Sequence, residues 1–264
     1  MRRSSATASD FPSMRIHPDP YGDRRRAPRR KRRPFKRFWQ GLILAFLAFV
    51  VLTVTPVLIL RVYPPPTSAF MLRAQWEAWR TGKKDYKTSY RWTDFARIAP
   101  AAAVAVMASE DQLFPEHHGF DFNAIEKAWE RNQHSRRIRG ASTISQQVAK
   151  NLFLWPGKNL FRKGLEAWFT ALIELCWSKQ HILEAYLNIA QFGDGVYGVD
   201  AAAERYFGRD AARLTRAQAA LLAAVLPNPL RLRVDRPSAY LLSRQRWILH
   251  QMQQLGEDAF LETL

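Results

Sequence analysis

Apolar positions first run together and then recur at helical period for most of the remaining chain. Gly41 to Leu60 (GLILAFLAFVVLTVTPVLIL) holds twenty residues without a charge, the length needed to cross about 30 Å of hydrocarbon. Val62 to Pro66 reads as a stiff extended spacer, because three consecutive prolines fix φ and remove donors. Thr67 or Ser68 can cap a helix running to about Arg80, with Phe70, Met71, Trp76 and Trp79 among its apolar residues. Packing against a domain and lying at a lipid interface are both open to that helix. Pro100 suits the first turn of a helix through AAAVAVMASE. Thr143 and Gln146 have capping-box spacing ahead of QQVAKN, and Thr215 and Gln218 repeat it ahead of AALLAAVL, which prolines 227 and 229 then stop. Between them, Leu160/Phe161, Leu165, Trp168/Phe169 and Leu172/Ile173 keep helical period, as do Ile182, Leu183, Tyr186 and Leu187. A last amphipathic helix spans roughly Tyr240 to Gln254, and no alternating run clearly calls for a sheet.

Composition adds an address to this helical pattern. With 264 residues and 47% hydrophobic side chains the chain can bury a real core, which excludes disorder throughout. The net charge of +17 is uneven: residues 1–37 carry 13 Lys/Arg and 3 Asp, hence +10, leaving +7 for the rest. That basic segment, with RRRAPRRKRRPFKR at Arg24 to Arg37, has little that could pack and reads as a disordered tail. Beside an apolar span it needs no nucleic-acid partner, since anionic headgroups attract the same charge. The cationic flank of a span stays cytoplasmic, and the far side offers only Arg61 before the prolines, so the C-terminal bulk is expected outside the cytoplasm. The apolar run exceeds the 7 to 15 residues usual for a cleaved signal peptide. Cys176 is the sole cysteine, in ALIELCW, so no intrachain disulfide can form and core packing is its expected role. The organisation read from these features is a basic tail at 1–37, a membrane helix at 38–61, a spacer and membrane-proximal helix at 62–99, and a helical domain at 100–264.

Four segments carry candidate chemistry. In EDQLFPEHHGFD (Glu110 to Asp121), Glu110 ends an apolar helix, where the negative end of the macrodipole makes a carboxylate a better proton acceptor. That suits a general base. Glu110, Asp111, His117, His118 and Asp121 can also be read as a metal site, although adjacent loop histidines lack the i, i+4 geometry of helical zinc motifs. In RGASTISQQVAKN (Arg139 to Asn151), a glycine and hydroxyls open a helix, a natural place for an anion, while Ser142 and Thr143 equally suit plain capping. Lys150 lies four residues from Gln146 and three from Gln147. In GKNLFRKGLE, Lys158, Arg162 and Lys163 surround Glu166 at ion-pair spacings that need no function. KQHILEAYLN then runs into FGDGVYGVDAAAERYFG, whose glycines permit a tight turn.

The order and spacing of these segments decide more than any one of them. ED-xx-F-xx-H-x-GFD, then G-x-ST-xx-QQ-xxx-N, then RK-xx-E, then ILE-x-YLN with FG-x-G-x-YG-xx-AAA-xx-YFG, resembles the glycosyltransferase family of peptidoglycan polymerases, shared with class A penicillin-binding proteins. The resemblance covers about residues 85 to 250. It implies a mainly α, lysozyme-like helical glycosyltransferase domain behind one transmembrane helix. It also implies a polymerase that elongates glycan strands from lipid II by inverting glycosyl transfer, releasing undecaprenyl pyrophosphate. Only one helix follows LLAAVLPNPLR, so the monofunctional form without a transpeptidase domain is expected.

Carried over by motif, Glu110 is the base for the acceptor 4-hydroxyl and Glu166 the second essential glutamate. Lys150 neutralises the pyrophosphate, and Arg162, Lys163, Ser142, Thr143 and Gln146 bind substrate. Lys158 stands where the family is expected to have arginine, which loses the bidentate fork. Asp111, Phe114, His117, Gly119, Asp121, Asn151 and Glu184 complete the motifs in supporting roles. No cofactor is implied, and Mg or Mn is left open as an aid to the pyrophosphate. The expected partners are lipid II, the growing glycan and a bacterial inner membrane, with other cell-wall synthases or divisome proteins as candidates and no nucleic acid. A lytic transglycosylase shares the lysozyme-like shape and one glutamate but has no use for pyrophosphate-binding cations. A non-enzymatic cell-wall scaffold would not need Glu110.

Overall fold

The computed structural model describes residues 34–133, 142–157 and 159–256. The basic tail up to residue 33 and Lys158 therefore lie outside the described residues. The chain divides into two units, 1–47 and 48–264. The described part of the first is the N-terminal half of helix α1 (Pro34–Leu60). Residues 36–60 are long and apolar enough to cross a membrane. α1 begins four residues before the expected start at 38, because Lys36 and Arg37 continue the helix after a proline in its first turn.

The second unit is helical around one core. Ser68 caps α2 (Ala69–Arg80) by accepting from the Met71 backbone. α3 (Pro100–Glu110) is buried on all sides from Ala101 to Ala108, its small side chains letting other helices approach closely. It packs against α9 (Arg216–Val225) and α10 (Ala239–Leu255), and touches α7 (Lys179–Ile189). α5 (Ile144–Phe153) packs on α6 (Leu160–Cys176), α7 and α2. Thr215 and Gln218 form a full reciprocal capping box on α9. α8 (Val199–Phe207) follows the glycine-rich turn.

Two elements depart from the sequence reading. α4 (Phe122–Gln133) follows the Glu110 to Asp121 loop. A three-stranded sheet, ordered β1 (Ser89–Tyr90), β3 (Val196–Tyr197), β2 (Gln191–Gly193), sits beside α8, with β1 parallel and β2 antiparallel to β3. Strands of two or three residues are too short to show alternation, and Val196 and Tyr197 are both buried.

Within the second unit, the C-terminal half of α1 is fastened to α6 and α7. The Trp168 indole donates to Thr53 Oγ1 at 3.1 Å and the Trp177 indole to the Val57 carbonyl at 2.8 Å. His181 places Nε2 at 3.0 Å from the Leu60 carbonyl and Nδ1 at 3.0 Å from Glu184 Oε2. Both partners only accept, so both ring nitrogens carry protons. Burial opposes that charge, but the hydrogen bonds to Glu184 and Leu60 outweigh it and raise the pKa above its usual 6.5. A raised folded-state pKa contributes stability that is complete below the unfolded value and is lost as pH rises through the folded one. His181→Gln is therefore expected to lower stability by about 1–2 kcal/mol below pH 6.5 and by little in alkaline buffer. Thermal melting of both proteins across pH checks this. A difference independent of pH would mean that the imidazolium is not what holds the helix end.

Candidate active site

Glu110 closes α3, and its carboxylate is held from three elements. Gln147 Nε2 of α5 donates to Oε2 at 3.0 Å, and Ser109 Oγ to Oε1 at 3.2 Å. The Arg244 guanidinium of α10 lies 3.6 Å from Oε1 and donates to Ser109 Oγ at 3.0 Å. The Tyr186 hydroxyl donates to Gln147 Oε1 at 3.2 Å, which fixes the amide so that its NH2 faces Glu110. That phenol stays protonated, since burial and then the charges of Glu110 and Asp111 push its pKa well above the usual 10. The Glu110 side chain is 14% exposed, so it is held on one side and open on another.

The next residues build the mount. Asp111 accepts the Ile144 backbone N–H on Oδ2 at 2.9 Å and the His117 ring on Oδ1 at 3.0 Å. His117 Nδ1 accepts the Gly119 backbone N–H at 3.1 Å, so Nε2 carries the proton that Asp111 receives. The Thr143 hydroxyl donates to the Gly119 carbonyl at 2.7 Å while accepting the Gln146 N–H. These bonds tie the end of α3 to the start of α5, bringing Glu110 against Gln147. Gly119 has φ +82°, and a Cβ there would stand 2.7 Å from Thr170 Cγ2 and 2.9 Å from Glu174 Cγ. Phe114 is fully buried beneath the Lys179 ammonium, and Asp121 Oδ1 accepts the Ala124 N–H at the start of α4.

Opposite this mount lies a cationic wall. Glu166 is 3% exposed and is paired by Arg162 Nη1 at 2.7 Å and by the Lys163 ammonium. Lys150, on α5, sits in the fields of Glu166, Arg162, Glu110 and Lys163 together. Burial holds its pKa below the usual lysine value against the raising pull of the two glutamates. The Phe70 ring of α2 lies 5.7 Å from its Nζ. Buried Arg162 Nε has no hydrogen-bond partner among the described residues, a donor free for an oxyanion. Two carboxylates set among Lys150, Arg162, Lys163 and Arg244 leave the site net cationic.

The structure thus gathers Glu110, Glu166, Lys150, Arg162 and Lys163, with Asn151 half-buried beside Lys150 on α5. Other motif residues are placed differently. Thr143 and Gln146 are buried, at 3% and 4% exposure, and Thr143 spends its hydroxyl on the cap and Gly119. Ser142 is exposed at the entry to α5. Glu184 faces away, receiving the Phe95 N–H and His181. Sequence reasoning passed over Gln147, Tyr186 and Arg244 as site residues. The first two stand inside the QQ and YLN motifs, so the signal was present, whereas Arg244 had none. Among the described residues no three His, Cys, Asp or Glu side chains gather as metal ligands.

Two glutamates in a helical domain, one held at a helix end with a side left open and one locked among cations, are an arrangement that can serve glycosyl transfer. Comparison with known proteins narrows the class. The family model described as Transglycosylase matches residues 78–253. The chain is 51% identical over 237 residues to a biosynthetic peptidoglycan transglycosylase of Xanthomonas campestris pv. campestris (strain B100), covering 90% of this chain and 95% of that protein. It is 52% identical over 227 residues to one of Cronobacter sakazakii, covering 86% and 94%, and 50% over 232 residues to one of Yersinia pestis, covering 88% and 96%. The chain belongs to the transglycosylase family.

Proposed function

We propose that this peptidoglycan glycosyltransferase, which polymerises glycan chains in cell wall synthesis, draws on lipid II and releases undecaprenyl pyrophosphate. Glu110 takes the proton of the acceptor sugar's 4-hydroxyl as that oxygen attacks the anomeric carbon of the growing chain. The bond to phosphate breaks on the opposite face, so an α-phosphate linkage becomes a β-1,4 glycosidic bond. A pyrophosphate leaving group needs its charge neutralised more than it needs a proton, and preorganised cations supply that without reorganising. Lys150 and Arg162 supply that charge, with Glu166 holding Arg162 and Lys163 in position. The observation that carries the reading is Glu166, 3% exposed and paired with Arg162 and Lys163, on a helix packed against the one that bears Lys150 and the Gln147 amide holding Glu110.

The apolar helix serves as a single-pass anchor in a bacterial inner membrane, with the basic tail cytoplasmic and the enzyme domain periplasmic. What supports this orientation is the charge asymmetry across the helix. A substrate with a polyprenyl tail shares that bilayer, so anchoring raises its effective concentration at the enzyme. Incubating the purified full-length protein with labelled lipid II is expected to give long, lysozyme-sensitive glycan. Release of anhydro-sugars from sacculi, with no polymer from lipid II, would overturn the reading in favour of a lytic enzyme.

A further inference from the structure

We propose that a basic cavity beyond the reaction centre, formed by Lys83, Lys84, Lys87 and Arg205, binds the carboxylates of the peptide stems on the growing glycan. The inference rests on the polymerase reading above. The cavity measures about 900 Å³ and opens between the segment after α2 and the turn joining β2 to β3. Its cations are exposed, and among the described residues none of the four is ion-paired. Asp85 and Asp194 also line it, leaving the charge at +2.

The floor is built rather than incidental. Ser89 N–H donates to the Gly195 carbonyl at 2.7 Å, as β1 pairs with β3. Gly195 has φ +72°, and a Cβ on it would stand 2.6 Å from the Lys87 carbonyl, so the backbone bearing Lys87 lies directly on this turn. Tyr86, which lines both this cavity and a neighbouring one, has its hydroxyl bonded to that of Tyr197.

Position selects the ligand. A second cavity, of about 430 Å³, shares Lys83, Tyr86 and Asp194 with the first and reaches Phe70. Phe70 is the residue whose ring lies over the Lys150 ammonium. In the proposed arrangement a polymer extending from Lys150 past Phe70 along α2 enters the smaller cavity and then the basic one. Pyrophosphate stays at the reaction centre, so the anions that a strand carries this far are the carboxylates of its peptides. Lysines suit a moving polymer: each exposed ion pair is weak, so a strand is retained without being stalled.

The test crosses substrate with protein. Full-length wild type and the triple variant Lys83→Gln/Lys84→Gln/Lys87→Gln are each given lipid II with free stem carboxylates, or with those carboxylates converted to primary amides, and glycan length is read on gels. Amidation is expected to shorten wild-type products about fivefold, the scale of a few weak ion pairs. The variant is expected to make products of one short length from both substrates. Equal shortening by amidation in the two proteins, or none in wild type, would overturn the proposal. A variant whose products from the amidated substrate are shorter than those wild type makes from that substrate points to phosphate or lipid headgroups, and also overturns it. Failure of every combination to polymerise would remove the underlying polymerase reading, and the inference with it. The wild-type comparison involves no substitution, so misfolding of the variant cannot shield the proposal.

Discussion

Glu110→Gln is expected to reduce glycan polymerisation by roughly 10²- to 10⁴-fold, the usual worth of a positioned general base, with little change in melting temperature. The amide is isosteric and its oxygen still accepts from Ser109 and lies beside Arg244, while its NH2 then faces the Gln147 NH2 and only that bond is lost. What disappears is the carboxylate's ability to accept a proton, the role proposed for it. Single-turnover transfer on labelled lipid II measures the loss directly. Binding of the lipid should survive, because the cations proposed to hold pyrophosphate sit on α5 and α6 rather than on α3. A variant keeping more than about a tenth of wild-type turnover would be incompatible with the 10²-fold minimum for such a base.

Lys150→Met is expected to cost roughly 10²- to 10³-fold in turnover, the scale seen when one preorganised charge-stabilising donor is removed. Its stem retains the packing under Phe70 while the ammonium is lost. The pH profile gives an independent check. Lys150 acts as a cation, and burial lowers its pKa from 10.5, so wild-type activity should fall on the alkaline side at a lower pH than an ordinary lysine would allow. Lys150→Arg, whose guanidinium does not deprotonate in this range, should shift that limb upward even if its peak rate is lower. A limb unmoved by the arginine would show that a different group titrates. The same profile distinguishes a chemical role from a structural one, because melting of the folded domain need not follow it.

The two effects depend on different parts of the molecule. Glu110 depends on a mount assembled from Asp111, His117, Gly119 and Thr143, none of which has to touch the sugar. Lys150 lies a short distance along α5 from Gln147, so one helix presents both the amide that holds Glu110 and the ammonium proposed to meet the leaving group. The EDQ and STISQQ motifs therefore meet in one device, although α4 lies between them in the chain.

Much of this architecture is legible in the amino-acid sequence. The apolar run at Gly41 to Leu60, the caps at Ser68, Thr143 and Thr215, and the helices from Pro100, Leu160 and Lys179 follow from period and capping chemistry, which act within a few residues. The motif order likewise leads to Glu110, Glu166, Lys150, Arg162 and Lys163, which the fold gathers. Local pattern is silent where the deciding contact is distant. The β1 to β3 pairing joins Ser89 to Val196, too short a ladder to leave a periodic trace. Thr143 and Gln146 carry the same motif weight as Gln147, and only helix packing shows that the first two turn inward while the third meets Glu110. Arg244 approaches Glu110 across 134 positions of chain, and His181 meets the Leu60 carbonyl across 121. Short-range propensity and residue chemistry determined the helices and the cast of reactive groups. Which side chains share a pocket, and which merely brace it, was decided by how those helices pack, because packing brings together residues that propensity treats independently.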